Sequence, residues 1–150
     1  MSDAPRSQTS YQVRFEWGAA GAAAVAVEAD VVAWVDEIGA EPVPSGARVT
    51  SLAEASSFAD WCLTRQEELG GRFRIAVVAA GATQPDGSLR FAVEDLLAAG
   101  AVIDAIAELG IDHQSPEAAA AAAAYTGLRN ATRHLVNASV SAREERLAAG

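Results

Sequence analysis

The fold is decided by residues 72 to 110, which read RFRIAVVAAGATQPDGSLRFAVEDLLAAGAVIDAIAELG. An uninterrupted apolar run over residues 75 to 80 is typical of a strand buried on both faces, and it ends at Gly81. A turn with the sequence Pro-Asp-Gly follows at residues 85 to 87, and a long helix is predicted over residues 91 to 109. In α/β proteins, a buried strand followed by a loop and a helix start is the usual place for a ligand.

Strand and helix patterns alternate along the rest of the chain. Strands are predicted at residues 11–17, 30–36, 48–50 and 73–80, and helical segments at residues 18–27, 51–69, 91–109 and 115–147. This alternation predicts an α/β fold in which a mostly parallel sheet carries helices on both faces. We expect a single domain over residues 11 to 150, preceded by a disordered tail over residues 1 to 10.

The first two predicted strands differ in their apolar patterns. Residues 11 to 17 alternate between apolar and polar side chains, with Arg14 on the polar face, which indicates a half-buried strand. Residues 31 to 35 (VVAWV) are continuously apolar, which indicates burial on both faces. We therefore expect this second strand to lie in the middle of the sheet, next to and parallel with residues 75 to 80.

The composition limits the partners that the protein can have. The chain of 150 residues is 51% hydrophobic but only 6% aromatic, and it suffices for one domain with one core. Its net charge is −9, and all of its 11 basic residues are arginines. Nucleic acids and anionic membranes attract a positive field, so we expect neither as a partner.

Cysteine usage and the chain start predict a soluble, cytoplasmic protein. The single cysteine, Cys62, excludes an internal disulfide and lies at an apolar position of a predicted helix, where a small buried side chain is the expected role. The first ten residues are polar and contain no signal-peptide pattern. The alanine run at residues 119 to 124 is too short to span a bilayer. His113 and His134 have no partner at metal-ligand spacing.

Three carboxylates are candidates for a metal or catalytic site. Glu94 and Asp95 open the predicted long helix, where acidic side chains also favour the helix N-terminus for purely structural reasons. Alternatively they bind Mg²⁺, which one or two carboxylates commonly hold together with a substrate phosphate. Asp36 ends a predicted buried strand, so it is either a solvated strand-end residue or a carboxylate in the crevice of the sheet.

A glycine pair follows the first predicted strand. Gly18 and Gly21 could let a helix N-terminus approach an anion, or they could allow the helix to pack closely on the strand. Two glycines at this spacing are a weak signal, and close packing is the simpler explanation. The sequence contains no P-loop, CxxC pair or serine nucleophile elbow.

Parts of the chain resemble the 2-phosphosulfolactate phosphatases, in particular their actinobacterial members. Residues 13 to 21 (VRFEWGAAG) are similar to the start of those proteins. Residues 79 to 106 resemble the region in which a strand ending in Ala-Gly is followed by a Glu-Asp pair and an Ala-Gly-Ala-Val-Ile helix. Residues 115 to 125 resemble the alanine-rich helix that follows it.

This resemblance implies Mg²⁺-dependent hydrolysis of a small acidic phosphate monoester. Under it, Asp36 and Asp95 are the catalytic residues, and Glu94 and Asp95 are the metal ligands. The residues that it implies for substrate binding are Gly81, Asp86 and Arg90.

The middle of the chain departs from the family pattern. The family has an Arg-Ala-Thr-Thr-like segment after the strand that ends in aspartate, but here Glu37 and Ile38 follow Asp36. The Arg-Asn of a later helix start is replaced by Ala53 and Glu54. Ala82 stands where an acidic residue is expected. Because phosphate ester hydrolysis needs charge neutralisation and alignment, we expect weak or lost activity, or a non-catalytic oligomerising or ligand-binding protein on the same scaffold.

The shortened middle also predicts a homo-oligomer. Removing part of a larger α/β domain should uncover apolar surface, which self-association would bury again. We expect Trp34, Phe58 and Trp61 to lie on that surface.

Overall fold

Over residues 4 to 150, which a computed structural model describes, the chain forms strands and helices in alternation. The strands are β1 (Val13–Trp17), β2 (Val31–Val35), β3 (Arg48–Thr50), β4 (Ile75–Ala79), β5 (Ala82–Thr83) and β6 (Leu89–Arg90). The α-helices are α1 (Gly18–Val25), α2 (Ala55–Leu69), α3 (Val93–Glu108), α4 (Pro116–Leu128), α5 (Thr132–Asn137) and α6 (Val140–Ala149). Short 3₁₀ helices lie at Pro5–Ser7 and Arg129–Ala131.

Four of the strands form a parallel sheet in the order β1-β4-β2-β3. The predicted α/β class and the parallel sheet are therefore confirmed. β2 and β4 are neighbours, with Val31 opposite Ile75 and Val35 opposite Ala79, as their apolar patterns predicted. Because the strands are parallel, the segments that follow β1, β2 and β4 leave the sheet at the same edge.

Two clusters of buried apolar side chains pack against the sheet. The larger cluster joins Ala33 and Val35 of β2 to residues of α2, α3 and α4. The smaller cluster joins Trp34 of β2 to Ala22 and Val25 of α1. Successive β2 residues thus belong to different clusters, because successive side chains of a strand point in opposite directions.

Arg14 differs from the prediction of a half-buried first strand. It is fully buried, and its guanidinium donates from Nε to the Tyr11 carbonyl at 3.0 Å and from Nη1 to the Val25 carbonyl at 2.9 Å. Val25 is the last residue of α1, where helix carbonyls have no partner within the helix. The alternating pattern predicts a solvent-facing Arg14, but here its guanidinium caps the C-terminal end of α1.

The predicted disordered tail also differs from the structure. Pro5–Ser7 form a turn of 3₁₀ helix, and the next residue, Gln8, is buried. The Gln8 side chain accepts the Phe15 N–H at 3.0 Å and donates to the Phe15 carbonyl at 2.9 Å, so it occupies the outer edge of β1. Part of the polar segment is thus fixed by hydrogen bonds that its composition does not reveal. Residues 1 to 3 of the predicted tail lie outside the described residues.

The aromatic residues expected on an uncovered surface lie elsewhere. Trp34 is 2% exposed and Phe58 is 4% exposed, so both belong to the core. Trp61 is partly buried, with the Arg48 guanidinium 4.0 Å from the centroid of its ring. The prediction that Trp34 and Phe58 lie on an uncovered surface is therefore wrong, because Trp34 packs against α1 and Phe58 packs in the larger core cluster. Self-association itself stays a prediction.

A small hairpin that the sequence analysis did not predict lies between β4 and α3. β5 and β6 pair antiparallel around the turn at residues 84 to 88. Leu89 at the start of β6 packs against two glycines: a β-carbon at Gly18 would lie 2.6 Å from its Cδ1, and one at Gly81 would lie 3.2 Å from it. Both glycines have positive φ, 70° and 73°, which also favours the absence of a side chain. The hairpin therefore closes over the edge where β1 and β4 end.

The helix boundaries follow the sequence signals in most places. Ser115 caps α4 by accepting the Ala118 N–H at 3.0 Å, and Gly70 ends α2 with left-handed φ. The predicted second helical segment starts at residue 51, whereas α2 begins at Ala55. Before it, the Ser51 hydroxyl accepts the Glu54 N–H at 3.3 Å and donates to the Glu54 carboxylate at 3.0 Å. Among the described residues, no helix is both long enough and apolar enough to cross a membrane.

Candidate carboxylate site

Asp95, at the start of α3, forms hydrogen bonds with the segments that follow two central strands. Its Oδ1 accepts the N–H of Glu37, two residues after β2, at 2.8 Å. Its Oδ2 accepts the N–H of Gly81, two residues after β4, at 2.9 Å. Asp95 itself is fully buried in the first turn of α3. This aspartate therefore fixes the position of the loops that leave β2 and β4.

Asp36 and Glu94 lie close enough to Asp95 for their charges to act on it. Burial raises the pKa of Asp95 to about 8, and the negative charges of Asp36 and Glu94 add to this increase. The N–H groups of Glu37 and Gly81 act in the opposite direction but do not cancel it. The structure thus brings together the three carboxylates that the sequence analysis selected.

The pKa of Asp36 is also raised. Burial is the main cause, and the nearby charges of Glu41, Glu94 and Glu37 contribute. The Glu41 N–H donates to Asp36 Oδ2 at 3.0 Å and partly offsets these effects. Several carboxylates that share one partly buried region repel each other, so a bound proton or cation would stabilise the group.

Glu94 has no hydrogen-bond partner for either carboxylate oxygen within the described part of the chain, although it is only 1% exposed. Oδ1 of Asp36 is buried and unpartnered in the same way. A buried polar atom without a partner costs about 1–3 kcal/mol. These unpartnered oxygens of Asp36 and Glu94 are the strongest indication that a ligand binds at the end of β2 and β4.

Among the described residues, the carboxylate cluster offers few free oxygens to a metal ion. Within residues 4 to 150, no three His, Cys, Asp or Glu side chains are grouped so that they could hold a metal ion. Asp95 is engaged by two backbone N–H groups, which leaves Asp36 and Glu94 as the carboxylates with free oxygens. Mg²⁺ is commonly held by one or two carboxylates and keeps several waters, so Asp36 and Glu94 are the two residues that such an ion would use.

Gly81 and Arg90 line one cleft of about 300 Å³ beside this cluster. Nη2 of Arg90 donates to Ser141 Oγ at 2.9 Å and to Glu144 Oε1 at 3.3 Å, and both residues belong to α6. The remaining residues of the cleft are Ile38, Gly39, Glu41, Ala82, Thr83 and Glu145. The cleft therefore contains three glutamates and one arginine.

Asp86, the third residue predicted to bind substrate, lies outside this cleft. It is exposed in the hairpin turn, where Oδ1 accepts the N–H of Ser88 at 3.0 Å and its hydroxyl at 2.6 Å. These hydrogen bonds lower its pKa. Asp86 has the contacts of an ordinary turn residue.

Two residues that differ from the family pattern have structural contacts here. Besides donating to Asp95, Glu37 accepts the Leu52 N–H through Oε1, and so connects the loop after β2 to the segment before α2. Glu54 is exposed and pairs with the Ser51 hydroxyl at 3.0 Å. Glu37 thus takes part in fixing the cluster, whereas Glu54 only supports the start of a helix.

Sequence reasoning missed the contribution of α6. Ser141 and Glu144 lie 51 and 54 residues after Arg90, and no local pattern connects them. Their spacing of three residues on a predicted helix does place them on one face. The spacing of Ser141 and Glu144 could have predicted a polar helix face, but not that this face contacts Arg90.

The glycines after β1 have a packing explanation. A β-carbon at Gly21 would lie 2.9 Å from Cβ of Glu16, and one at Gly18 would meet Leu89. No side chain caps the N-terminus of α1. Close contact between the helix, the strand and the hairpin accounts for both glycines.

Comparisons of the chain with family models, with curated proteins and with solved structures give no match.

Proposed function

We propose that the protein is a shortened relative of the 2-phosphosulfolactate phosphatases, with weak Mg²⁺-dependent activity on a small acidic phosphate monoester. The observation that carries this proposal is the meeting of Asp36, Glu94 and Asp95 at the ends of β2 and β4. The carboxyl ends of parallel strands are where α/β proteins bind and convert ligands. The sequence resemblance supplies the reaction.

Each residue of the cluster has a distinct role in this proposal. Asp36 and Glu94 would hold Mg²⁺, since their free oxygens are buried beside each other's charge. When bound, the ion would neutralise charge on the phosphoryl oxygens. Asp95 positions the Gly81 and Glu37 N–H groups and keeps both loops in place. Arg90 is the cation in the cleft that would contact the phosphate.

The same geometry explains why turnover should be low. Glu41, Glu144 and Glu145 line the cleft that contains Arg90, so a phosphate dianion would enter acidic surroundings. Arg90 is also engaged by Glu144 and Ser141. This observation favours the second candidate, a non-catalytic protein that binds a ligand or a second copy on the same scaffold.

The proposal extends to the setting of this site. We propose one domain in which α1 covers one face of the sheet and α2, α3 and α4 cover the other, in keeping with the two core clusters. We further propose that the protein is a cytoplasmic homo-oligomer. We also propose that it binds neither nucleic acid nor membrane, since a net charge of −9 repels both.

Hydrolysis of 2-phosphosulfolactate and of other small phosphorylated acids, with MgCl₂ or with EDTA, tests the proposal. We expect slow phosphate release that needs Mg²⁺ and falls about a hundredfold in Asp36→Asn, which loses one charged ligand. The matched control is Asp112→Asn, an exposed carboxylate that follows α3, which should keep the wild-type rate. If the folded wild-type protein releases no phosphate above the EDTA blank, the non-catalytic alternative replaces this proposal.

A further inference from the structure

The contact between Arg90 and α6 occupies the donor groups that an anionic ligand would use. The Arg90 side chain is only 17% exposed, and Nη2 donates to Ser141 Oγ and Glu144 Oε1 at 2.9 and 3.3 Å. Nη1 donates to the Phe91 carbonyl at 3.3 Å. A guanidinium presents its donors in a fixed plane that suits the oxygens of a carboxylate or a phosphate.

We propose that Arg90 and Ser141 form a phosphate subsite and that Glu144 occupies it as an internal competitor. This inference rests on the proposed function, since it concerns the place where the substrate phosphate would lie. Oε1 of Glu144 takes the position that one phosphate oxygen would have on Arg90 Nη2. The Ser141 hydroxyl, which accepts from Arg90, has a proton that it can donate to a bound oxyanion.

The ion pair that must be broken is weak. The Glu144 side chain is 68% exposed, and exposed ion pairs contribute little because water and salt screen them. By contrast, the Arg90 side chain is mostly buried, and its hydrogen bonds to Ser141 and the Phe91 carbonyl do not depend on Glu144. Glu144 can therefore turn into solvent while the cation remains available.

The cleft has room for a small anion. Its volume is about 300 Å³, and Gly81 and Thr83 line it together with Arg90. The Thr83 hydroxyl is turned toward Glu41, to which it donates at 2.8 Å. Glu41 and Glu145 still oppose an anion in the cleft, so we expect millimolar rather than micromolar affinity.

Binding of inorganic phosphate by isothermal titration calorimetry at constant ionic strength tests this inference. We expect Glu144→Gln to bind phosphate about five-fold more tightly than the wild type, since its amide no longer neutralises Arg90. The matched control is Glu145→Gln, which removes the same charge from the same cleft but from a residue without a contact to Arg90 among those described. Its affinity should rise by a factor of less than two.

A double-mutant cycle separates competition from a general charge effect. In the Arg90→Gln background, Glu144→Gln should no longer improve phosphate binding, because the guanidinium that it releases is absent. Ser141→Ala, introduced together with Glu144→Gln, should weaken binding again. Equal affinities for Glu144→Gln and Glu145→Gln, or an unchanged gain without Arg90, would overturn the inference. Circular dichroism confirms that each variant is folded before titration.

Phosphate binding and phosphate ester hydrolysis can fail independently. If no variant hydrolyses an ester while Glu144→Gln gains affinity through Arg90, the subsite stands and the proposed function falls. If the wild type hydrolyses its ester and Glu144→Gln gains nothing over Glu145→Gln, the function stands and the competition is wrong.

Discussion

At the scale of single residues, Asp95 combines two roles that are usually separate. It is the hydrogen-bond acceptor that holds the loops after β2 and β4, and it is a buried carboxyl group near other carboxylates. The first role favours the charged form and the second favours the neutral form. Burial dominates, so the pKa is about 8.

This raised pKa predicts how stability depends on pH. A carboxyl group whose pKa rises from 3.8 in the unfolded chain to about 8 in the folded protein contributes stability at low pH, and the contribution is lost as the pH rises toward 8. In EDTA, the free energy of unfolding in urea should therefore fall between pH 5 and pH 8, as this pKa implies. Asp95→Asn should reduce that fall.

The same variant should be less stable than the wild type at pH 5, because an amide can accept only one of the two N–H bonds. A loss of about 1–3 kcal/mol is expected for the unpaired N–H group. An equal pH dependence in wild type and variant would show that Asp95 does not titrate in this range.

Residue roles were the hardest feature to predict from the sequence. Strand ends and helix starts can be located by pattern, and this is how Asp36, Glu94 and Asp95 were selected. Arg14 could not be placed, because the carbonyl that it contacts at Val25 depends on how α1 folds back on β1. The resemblance implied that Asp86 binds substrate, although Ser88 satisfies its carboxylate locally.

At the scale of elements, α3 and α4 cross at a glycine. A β-carbon at Gly100 would lie 2.2 Å from the Ala121 carbonyl oxygen and 2.8 Å from Cβ of Tyr125. Backbone cannot move away from such a contact without separating the helices. Gly100 therefore sets the distance between α3 and α4.

Two glycine substitutions test this distance. Gly100→Ala should lower the free energy of unfolding by about 2 kcal/mol, since overpacking outweighs the better helix propensity of alanine. Gly127→Ala in α4 is the matched control, because no atom lies within 4 Å of its β-carbon position, and it should gain about 0.5–1 kcal/mol. Chemical denaturation of both variants checks the prediction, which fails if the two changes have the same sign.

The elements themselves were largely predictable. Long apolar runs predicted β2 and β4, and the helical pattern from residue 115 predicted α4, because these signals lie within a few residues of each other. The β5–β6 hairpin was missed, since two-residue strands have almost no pattern of their own. Its position depends on Leu89 packing against Gly18, a contact between distant parts of the chain.

At the scale of the whole molecule, the net charge of −9 favours bound cations over bound anions. Potassium chloride should raise the melting temperature by screening this repulsion. Magnesium chloride at the same ionic strength should raise it further if Asp36 and Glu94 hold the ion. The additional stabilisation should be about 0.4 kcal/mol when the Mg²⁺ concentration equals its dissociation constant.

Asp36→Asn provides the control for the magnesium effect. It should respond to potassium chloride as the wild type does, since one charge in −9 changes the repulsion little. The additional effect of magnesium should disappear. Thermal unfolding is followed by circular dichroism for the wild type and for Asp36→Asn, each in potassium chloride and in magnesium chloride. An unchanged magnesium effect in Asp36→Asn would place the ion elsewhere.

The packing of Leu89 between two glycines has an evolutionary consequence. Gly18 and Gly81 lie 63 positions apart, yet the same leucine side chain approaches the β-carbon position of both. A smaller residue at position 89 would remove this contact but not the positive φ of either glycine, and at Gly81 the Arg90 carbonyl oxygen would still lie 3.2 Å from a β-carbon. Both glycines should therefore be retained among descendants of this gene even where position 89 varies.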